Sequence, residues 1–148
     1  MLKLRDIMTT GVATASPDLT LREAMELLST RHISGAPVVS GGKVVGIFSA
    51  SDLLSFLVDL EGAEASVEFS RKRRTPLEEV TVSEIMTRNV HYLAPACLVD
   101  EAARYMREAN IHRILVMDGD HLLGIVSTTD VAMAVADHKL KSRTYVFA

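Results

Sequence analysis

Apolar and polar positions along this chain change period in a set order, and the order then repeats. Between residues 20 and 31, Ala24, Leu27 and Leu28 recur at helical spacing and share one face. Thr20 and Glu23 stand three apart at the start of this stripe, the pair that a capping box requires. Two runs rich in β-branched residues follow, 36–39 and 43–48, divided by Ser40-Gly41-Gly42. That pattern predicts a β-hairpin. Leu53, Leu54, Phe56 and Leu57 then predict a second helix, beginning at Asp52. Ahead of the first helix, residues 12–15 read as a short extended piece ended by Ser16-Pro17. The predicted unit is β-α-β-β-α.

The same succession returns without a gap, residues 7–57 falling on 85–135. Ile7-Met8-Thr9 matches Ile85-Met86-Thr87, Pro17 matches Pro95, and Glu23-Ala24 matches Glu101-Ala102. Gly46-Ile47 matches Gly124-Ile125, Ser49 matches Ser127, and Asp52 matches Asp130. Leu98 stands where the first copy has Thr20, so the second copy's first helix needs another cap, with Asp100 the candidate. A unit of roughly 50 residues is marginal for burying a core alone, so the two copies are expected to pack together. The expected division is repeat 1 at 1–60, a connector at 61–80, and repeat 2 with a C-terminal tail at 81–148. The connector begins acidic and alanine-rich, turns basic at Arg71-Lys72-Arg73-Arg74, and reads as an exposed link.

Composition then narrows the function classes. With 48% hydrophobic and 24% charged residues, the chain of 148 residues has the balance of a soluble globular protein. A net charge of −3 argues against a dedicated nucleic-acid binder. The run Arg71-Lys72-Arg73-Arg74 keeps that as a minor alternative, but no aromatic residues are interleaved with it. Cys97 is the single cysteine and falls on Leu19 of the first copy, which suits a small buried hydrophobe and a reducing cytoplasm. No apolar run approaches the ~18–20 residues of a membrane-spanning helix, so no membrane partner is expected. His32, His91, His112, His121 and His138 show no metal-site spacing. No Ser/His/Asp or Cys/His set is legible, so neither a metal nor catalysis is expected.

The motif kept in both copies is Gly46-Ile47-Phe48-Ser49-Ala50-Ser51-Asp52 and Gly124-Ile125-Val126-Ser127-Thr128-Thr129-Asp130. Ser-x-x-Asp where a strand meets a helix is a capping arrangement: the hydroxyl accepts a backbone N–H and the carboxylate favours the positive end of the helix. It is also the chemistry of a sugar site. A carboxylate there can accept two hydrogen bonds from a vicinal diol such as ribose, with the hydroxyl and first helical N–H groups near a phosphate.

With the opening Ile-Met-Thr, the strands Ala36-Pro37-Val38-Val39 and Ile114-Leu115-Val116-Met117, and this motif at the same spacing in each half, the chain resembles a pair of cystathionine-β-synthase (CBS) domains, a Bateman module. The resemblance covers all but the connector and the last dozen residues. It implies an α/β (α+β) fold of two tandem β-α-β-β-α repeats packed about a pseudo-twofold axis. It further implies two clefts that take adenosine-containing ligands such as AMP, ADP, ATP or S-adenosylmethionine, with the motif Asp on the ribose hydroxyls and the motif Ser near ribose or phosphate. No cofactor is required; the nucleotide is a regulatory ligand.

The two clefts are not expected to be equal. Ile111-His112-Arg113-Ile114 in the second copy replaces Ile33-Ser34-Gly35-Ala36 in the first. A guanidinium at 113 suits phosphate oxygens, and glycine at 35 offers nothing equivalent. The ordinary alternatives are a surface ion pair for Arg113 and a half-buried strand-edge position for His112. By the resemblance, one site comprises Ser127, Asp130, His112 and Arg113, with Thr14, Ala15, Ser16, Ile33 and Ser34 against the base. The other comprises Ser49 and Asp52 with Tyr92, Leu93, Ala94 and Ile111. The expected function is a non-catalytic regulatory module in the cytoplasm, a homodimer that senses energy or metabolite state for a separate effector protein. The alternatives are a ligand-free dimerisation scaffold, in which Ser-x-x-Asp only caps helices, and nucleic-acid binding through 71–74.

Overall fold

The computed structural model of the chain describes residues 1–62 and 76–137. The basic run Arg71-Lys72-Arg73-Arg74 and the tail at 139–148 lie outside the described residues. Along the chain come α1 (Leu4–Ile7), α2 (Leu21–Arg31), β1 (Gly35–Ser40), β2 (Lys43–Ser49) and α3 (Ala50–Gly62), then α4 (Pro76–Glu79) and α5 (Val82–Ile85). The second copy continues with β3 (Tyr92–Leu93), α6 (Val99–Ala109), β4 (Arg113–Asp118), β5 (His121–Ser127) and α7 (Thr128–Ala136).

The chain divides into two compact units, and their borders are not those of the repeats. One unit is Met1–Val12 with His91–Ala148; the other is Ala13–Val90. Each repeat's leading segment thus packs in the unit built by the other repeat. The cause is burial. Leu4 lies fully buried in a core of Val99, Ala102, Met106, Ile114, Val116 and Val126. Val82 lies fully buried in a core of Leu21, Ala24, Leu28, Val38 and Phe48.

Backbone pairing fixes both leading segments. Thr9 pairs antiparallel with Ile125, the two N–H to oxygen distances being 2.9 and 3.0 Å, and Thr87 pairs with Ile47 at 2.8 and 2.9 Å. The motif glycines make room for this. A Cβ on Gly124 would come within 2.8 Å of both the Thr9 carbonyl and Met8 Sδ. On Gly46 it would meet Met86 Sδ at 2.7 Å and the Thr87 carbonyl at 2.9 Å. Neither glycine has positive φ, so close backbone approach, not a turn, demands them.

Local signals explain most elements. Thr20 Oγ1 accepts the Glu23 N–H and Glu23 Oε1 accepts the Thr20 N–H, both at 3.2 Å, completing the predicted capping box of α2. For α6 the N-cap is Leu98, and its side chain makes no cap. Asp100 does not replace it. The Leu2 carbonyl accepts the Val99 N–H at 3.1 Å, just as the Val80 carbonyl accepts the Leu21 N–H at 3.0 Å in the first copy, so the leading segments serve the first N–H of both helices alike. Both helices end on a left-handed residue, His32 at φ 53° and Asn110 at φ 54°, which turns the chain into β1 or β4.

Each hairpin is antiparallel with one bulge, between Val38 and Val39 in the first and between Val116 and Met117 in the second. The second copy's first strand is β3, parallel to β4. In the first copy the expected strand is a single bridged residue, Ala15, paired parallel with Val38. Thr14, Ala15 and Ser16 lack the aromatic and branched bulk of Tyr92-Leu93 that favours a strand. The motif helices begin at Ala50 and Thr128, not at Asp52 and Asp130, because the serine before each helix is the cap.

Because Leu4 is buried beside residues nearly a hundred positions away, Leu4→Ala is expected to lower stability by about 2–5 kcal/mol, as for a fully buried leucine. Urea unfolding measures this, and a loss below about 1 kcal/mol would contradict the exchanged core.

Candidate functional site

Each motif sits where the second strand of a hairpin enters a helix, half-buried in its own unit. In the unit containing α7, the Ser127 N–H donates to Asp130 Oδ2 at 2.8 Å, and the Asp130 N–H donates to Ser127 Oγ at 3.1 Å. In the unit containing α3, the Ser49 N–H donates to Asp52 Oδ2 at 2.8 Å and the Asp52 N–H to Ser49 Oγ at 3.3 Å. There the Ser49 hydroxyl also donates to Asp52 Oδ2, at 3.1 Å. Both motifs are complete reciprocal caps. In each carboxylate the cap uses Oδ2 alone; among the described residues Oδ1 accepts no hydrogen bond.

The hairpin bulge decides what stands opposite the motif serine. It shifts the register by one residue, so Arg113 pairs with Ser127 and not with Val126. Residues directly opposite on an antiparallel pair share a face, and a one-residue slip would turn Arg113 to the other side. The Thr128 N–H donates to the His112 carbonyl at 3.0 Å, which ties the start of α7 to the His-Arg pair. The first copy repeats this frame: the Ala50 N–H donates to the Ser34 carbonyl at 2.8 Å, and Gly35 stands opposite Ser49. A Cβ on Gly35 would meet the Phe48 carbonyl at 2.9 Å, so the backbone there is closed to an arginine as well as lacking one.

One unit therefore gathers Ser127, Asp130, His112, Arg113 and Ile111 with Tyr92, Leu93 and Ala94; the other gathers Ser49, Asp52, Ile33 and Ser34 with Thr14, Ala15 and Ser16. Each unit carries the sugar-binding residues of one expected site and the residues allotted to the base of the other. His112 and Arg113 are exposed, as are Thr14, Ser16, Ser34, Tyr92 and Ala94, whereas Ala15 is buried. Ala15 is used structurally: its N–H donates to the Pro37 carbonyl and its carbonyl accepts the Val39 N–H, both at 2.9 Å. Sequence reasoning missed Gly35 as a steric constraint and the bulge as what aims Arg113; the only trace of either is the unequal length of the two strands in each hairpin.

Comparison with known proteins turns on this doubled frame. A family model for the CBS domain matches residues 4–59 and again 82–137. The chain belongs to the CBS domain family. This CBS pair is 30% identical over 133 residues to the CBS domain-containing protein YhcV of Bacillus subtilis (strain 168), covering 90% of this chain and 85% of that one. Two other relatives are longer, and the chain spans 40% and 36% of their length. Among solved structures, it is similar to CBSX2 in complex with AMP, with TM-score 0.77 and 25% identity over 95% of this chain and 100% of that one. It is likewise similar to the CBS domain pair of protein MJ0100 in complex with 5′-methylthioadenosine and S-adenosyl-L-methionine, with TM-score 0.72 and 26% identity over 93% and 98%.

Among the described residues no group of His, Cys, Asp and Glu is placed to hold a metal ion, and no helix is long and apolar enough to cross a membrane. Cys97 is half-buried against the core that holds Leu4, and its thiol donates to Glu101 Oε2 at 3.0 Å. Burial first, and then the Glu101 carboxylate, push that thiol up to about 11. The neutral thiol's contribution to stability is whole below the ordinary cysteine range near ~8.5 and is lost as pH rises through the raised value. Iodoacetamide should accordingly label folded protein at pH 8 roughly 100-fold more slowly than a free thiol, with the rate still climbing above pH 10. Labelling at the free-thiol rate would show that burial and Glu101 do not protect Cys97.

Proposed function

We propose that this CBS pair is a non-catalytic regulatory module that binds an adenosine-containing ligand, works as a homodimer, and reports adenylate or metabolite state to a separate effector protein. The observation that carries the reading is the division of labour in each motif carboxylate. Oδ2 is held by the cap, so the side chain is fixed; Oδ1 is left as an acceptor aimed by that fixation. A pre-oriented acceptor at a strand-to-helix junction suits a vicinal diol. The complexes of CBSX2 with AMP, and of the MJ0100 pair with 5′-methylthioadenosine and S-adenosyl-L-methionine, support adenosine as the ligand's common part.

Within this reading Asp130 and Ser127 hold ribose while Arg113, opposite Ser127, takes the α-phosphate, with His112 beside it. Asp52 and Ser49 offer a second ribose position, where Gly35 supplies no cation. That position suits a ligand with little or no phosphate. The single thiol and the absence of any membrane-spanning helix among the described residues accord with a cytoplasmic setting.

One observation favours a second reading. Ser49–Asp52 and Ser127–Asp130 are satisfied as helix caps without any ligand, so the protein also fits a ligand-free assembly module. Thermal shift separates the two: the regulatory reading expects stabilisation by AMP, ATP or S-adenosylmethionine, and the assembly reading expects none.

Calorimetric titration with AMP tests the site itself. Arg113→Ala is expected to weaken AMP binding roughly 10–100-fold, the effect of losing a charge-assisted hydrogen bond of about 1.5–3 kcal/mol. Asp130→Ala should abolish measurable binding and also lower stability by about 0.5–2 kcal/mol through the lost cap. Unchanged AMP affinity in both variants would refute the assignment.

A further inference from the structure

The methionines of the chain fall into three environments. Met1, Met25 and Met133 are exposed, where an oxidised thioether meets only water. Met106 and Met117 are 2% and 7% exposed and closed to an oxidant. Met8 and Met86 are half-buried and hold the same position of the repeat. Each precedes the residue that pairs a leading segment with its hairpin, Thr9 or Thr87. These two are therefore both reachable from solvent and engaged with the frame.

What they engage is the close approach of the exchange. Met8 Sδ lies 2.8 Å from where a Cβ would stand on Gly124, and Met86 Sδ 2.7 Å from the same point on Gly46. The thioether thus fills the space that the glycine leaves, beside the Thr9–Ile125 and Thr87–Ile47 pairings. Beneath it, Met8 packs on the core of Leu4, Val116 and Val126, and Met86 on the core of Val38, Phe48 and Val82. A sulfoxide does not suit this seat, because its oxygen is a polar acceptor that needs a donor when buried. The Thr9 and Thr87 carbonyls beside it are acceptors themselves, 2.8 and 2.9 Å from the two Cβ positions. The N–H groups of Thr9 and Ile125 already donate to each other's carbonyls, as do those of Thr87 and Ile47. The sulfoxide oxygen must turn to water, which draws the sulfur off the glycine and removes a contact that seats the pairing.

We propose that Met8 and Met86 are a pair of peroxide-sensitive latches whose oxidation loosens the leading segments. The thioether sulfur attacks one oxygen of hydrogen peroxide. An S–O bond forms, the O–O bond breaks, and two electrons pass from sulfur to the peroxide. The departing hydroxide takes the proton of the transferred oxygen and leaves as water. Enzymatic reduction of the sulfoxide resets the latch. One latch lies in each unit. Thr9 and Thr87 pair with residues two positions before Ser127 and Ser49, so loosening reaches the start of each motif. The latch requires no ligand and is independent of the proposed function.

Peroxide treatment of the full chain tests it, with peptide mass mapping to follow each methionine. Met8 and Met86 should oxidise after Met1, Met25 and Met133 and before Met106 and Met117. Their oxidation is expected to lower the melting temperature by about 4 °C or more. Deuterium uptake in the peptides holding Thr9 and Thr87 should rise roughly tenfold. Leucine keeps the size and has no sulfur, so a variant with Met8→Leu and Met86→Leu should hold its melting temperature and uptake under peroxide. Methionine sulfoxide reductases should restore the treated wild type, an arm that does not depend on how well the leucine variant folds. Unchanged melting with Met8 and Met86 oxidised overturns the proposal, as does a leucine variant that loses as much as wild type. Failure of the reductases to restore the wild type overturns it too. Recovery with dithiothreitol alone overturns it by assigning the effect to Cys97.

Discussion

The structure depends on an exchange. Neither repeat closes its own core: Leu4 completes the core around Met106 and Val116, and Val82 completes the core around Leu28 and Phe48. The exchange is held by backbone pairing, Thr9 with Ile125 and Thr87 with Ile47, and this pairing admits no side chain at Gly124 or Gly46. A repeat of roughly 50 residues has too little interior to be stable alone, and a borrowed segment adds apolar contacts and terminates the ladder at once. The leading segments also accept the first helical N–H of α6 and of α2, through the Leu2 and Val80 carbonyls. A single copy would have to take the segment from a second chain, whereas the duplication supplies it within one.

The frame so built delivers the motif serine and aspartate in a fixed pose. The exchanged segment pins β2 and β5 at the residues just before the motif, Ile47 and Ile125, and the cap then pins the carboxylate. On the proposed function, one side chain with two oxygens would couple stability to ligand binding at these residues. The hydrogen bonds that start the helix hold Oδ2 and so fix the orientation of the carboxylate. A carboxylate on a loose loop would pay an ordering entropy on binding that this one has already met in folding.

Much of this was legible in the residues. The hairpins announced themselves through branched residues around glycine turns, and the α2 cap through Thr20 and Glu23, because those signals are local. The start of the motif helices was misplaced by two residues because Leu53 and Val131 begin the apolar stripe, whereas Ser49 and Ser127 carry the cap. The first strand of copy one shrank to Ala15 because small polar neighbours gave it no reason to extend. The exchange of leading segments was not legible. It is decided by contacts between residues tens of positions apart, and its only local trace, a glycine kept in both copies, looks the same as a turn glycine until φ is known. The pairing of Arg113 with Ser127 was hidden for a similar reason, since one bulge residue decides which face an arginine meets.

The repeats differ where the frame does not constrain them, and the differences are of two kinds. Gly35 against Arg113 is enforced, because the backbone at 35 leaves 2.9 Å to the Phe48 carbonyl. A side chain at 35 would have to move β2, so the difference between the copies at this position is built into the sheet. The outer helix faces are under no such restraint. Glu26 and Arg104, or Leu54 and Ala132, occupy exposed positions where any soluble residue fits.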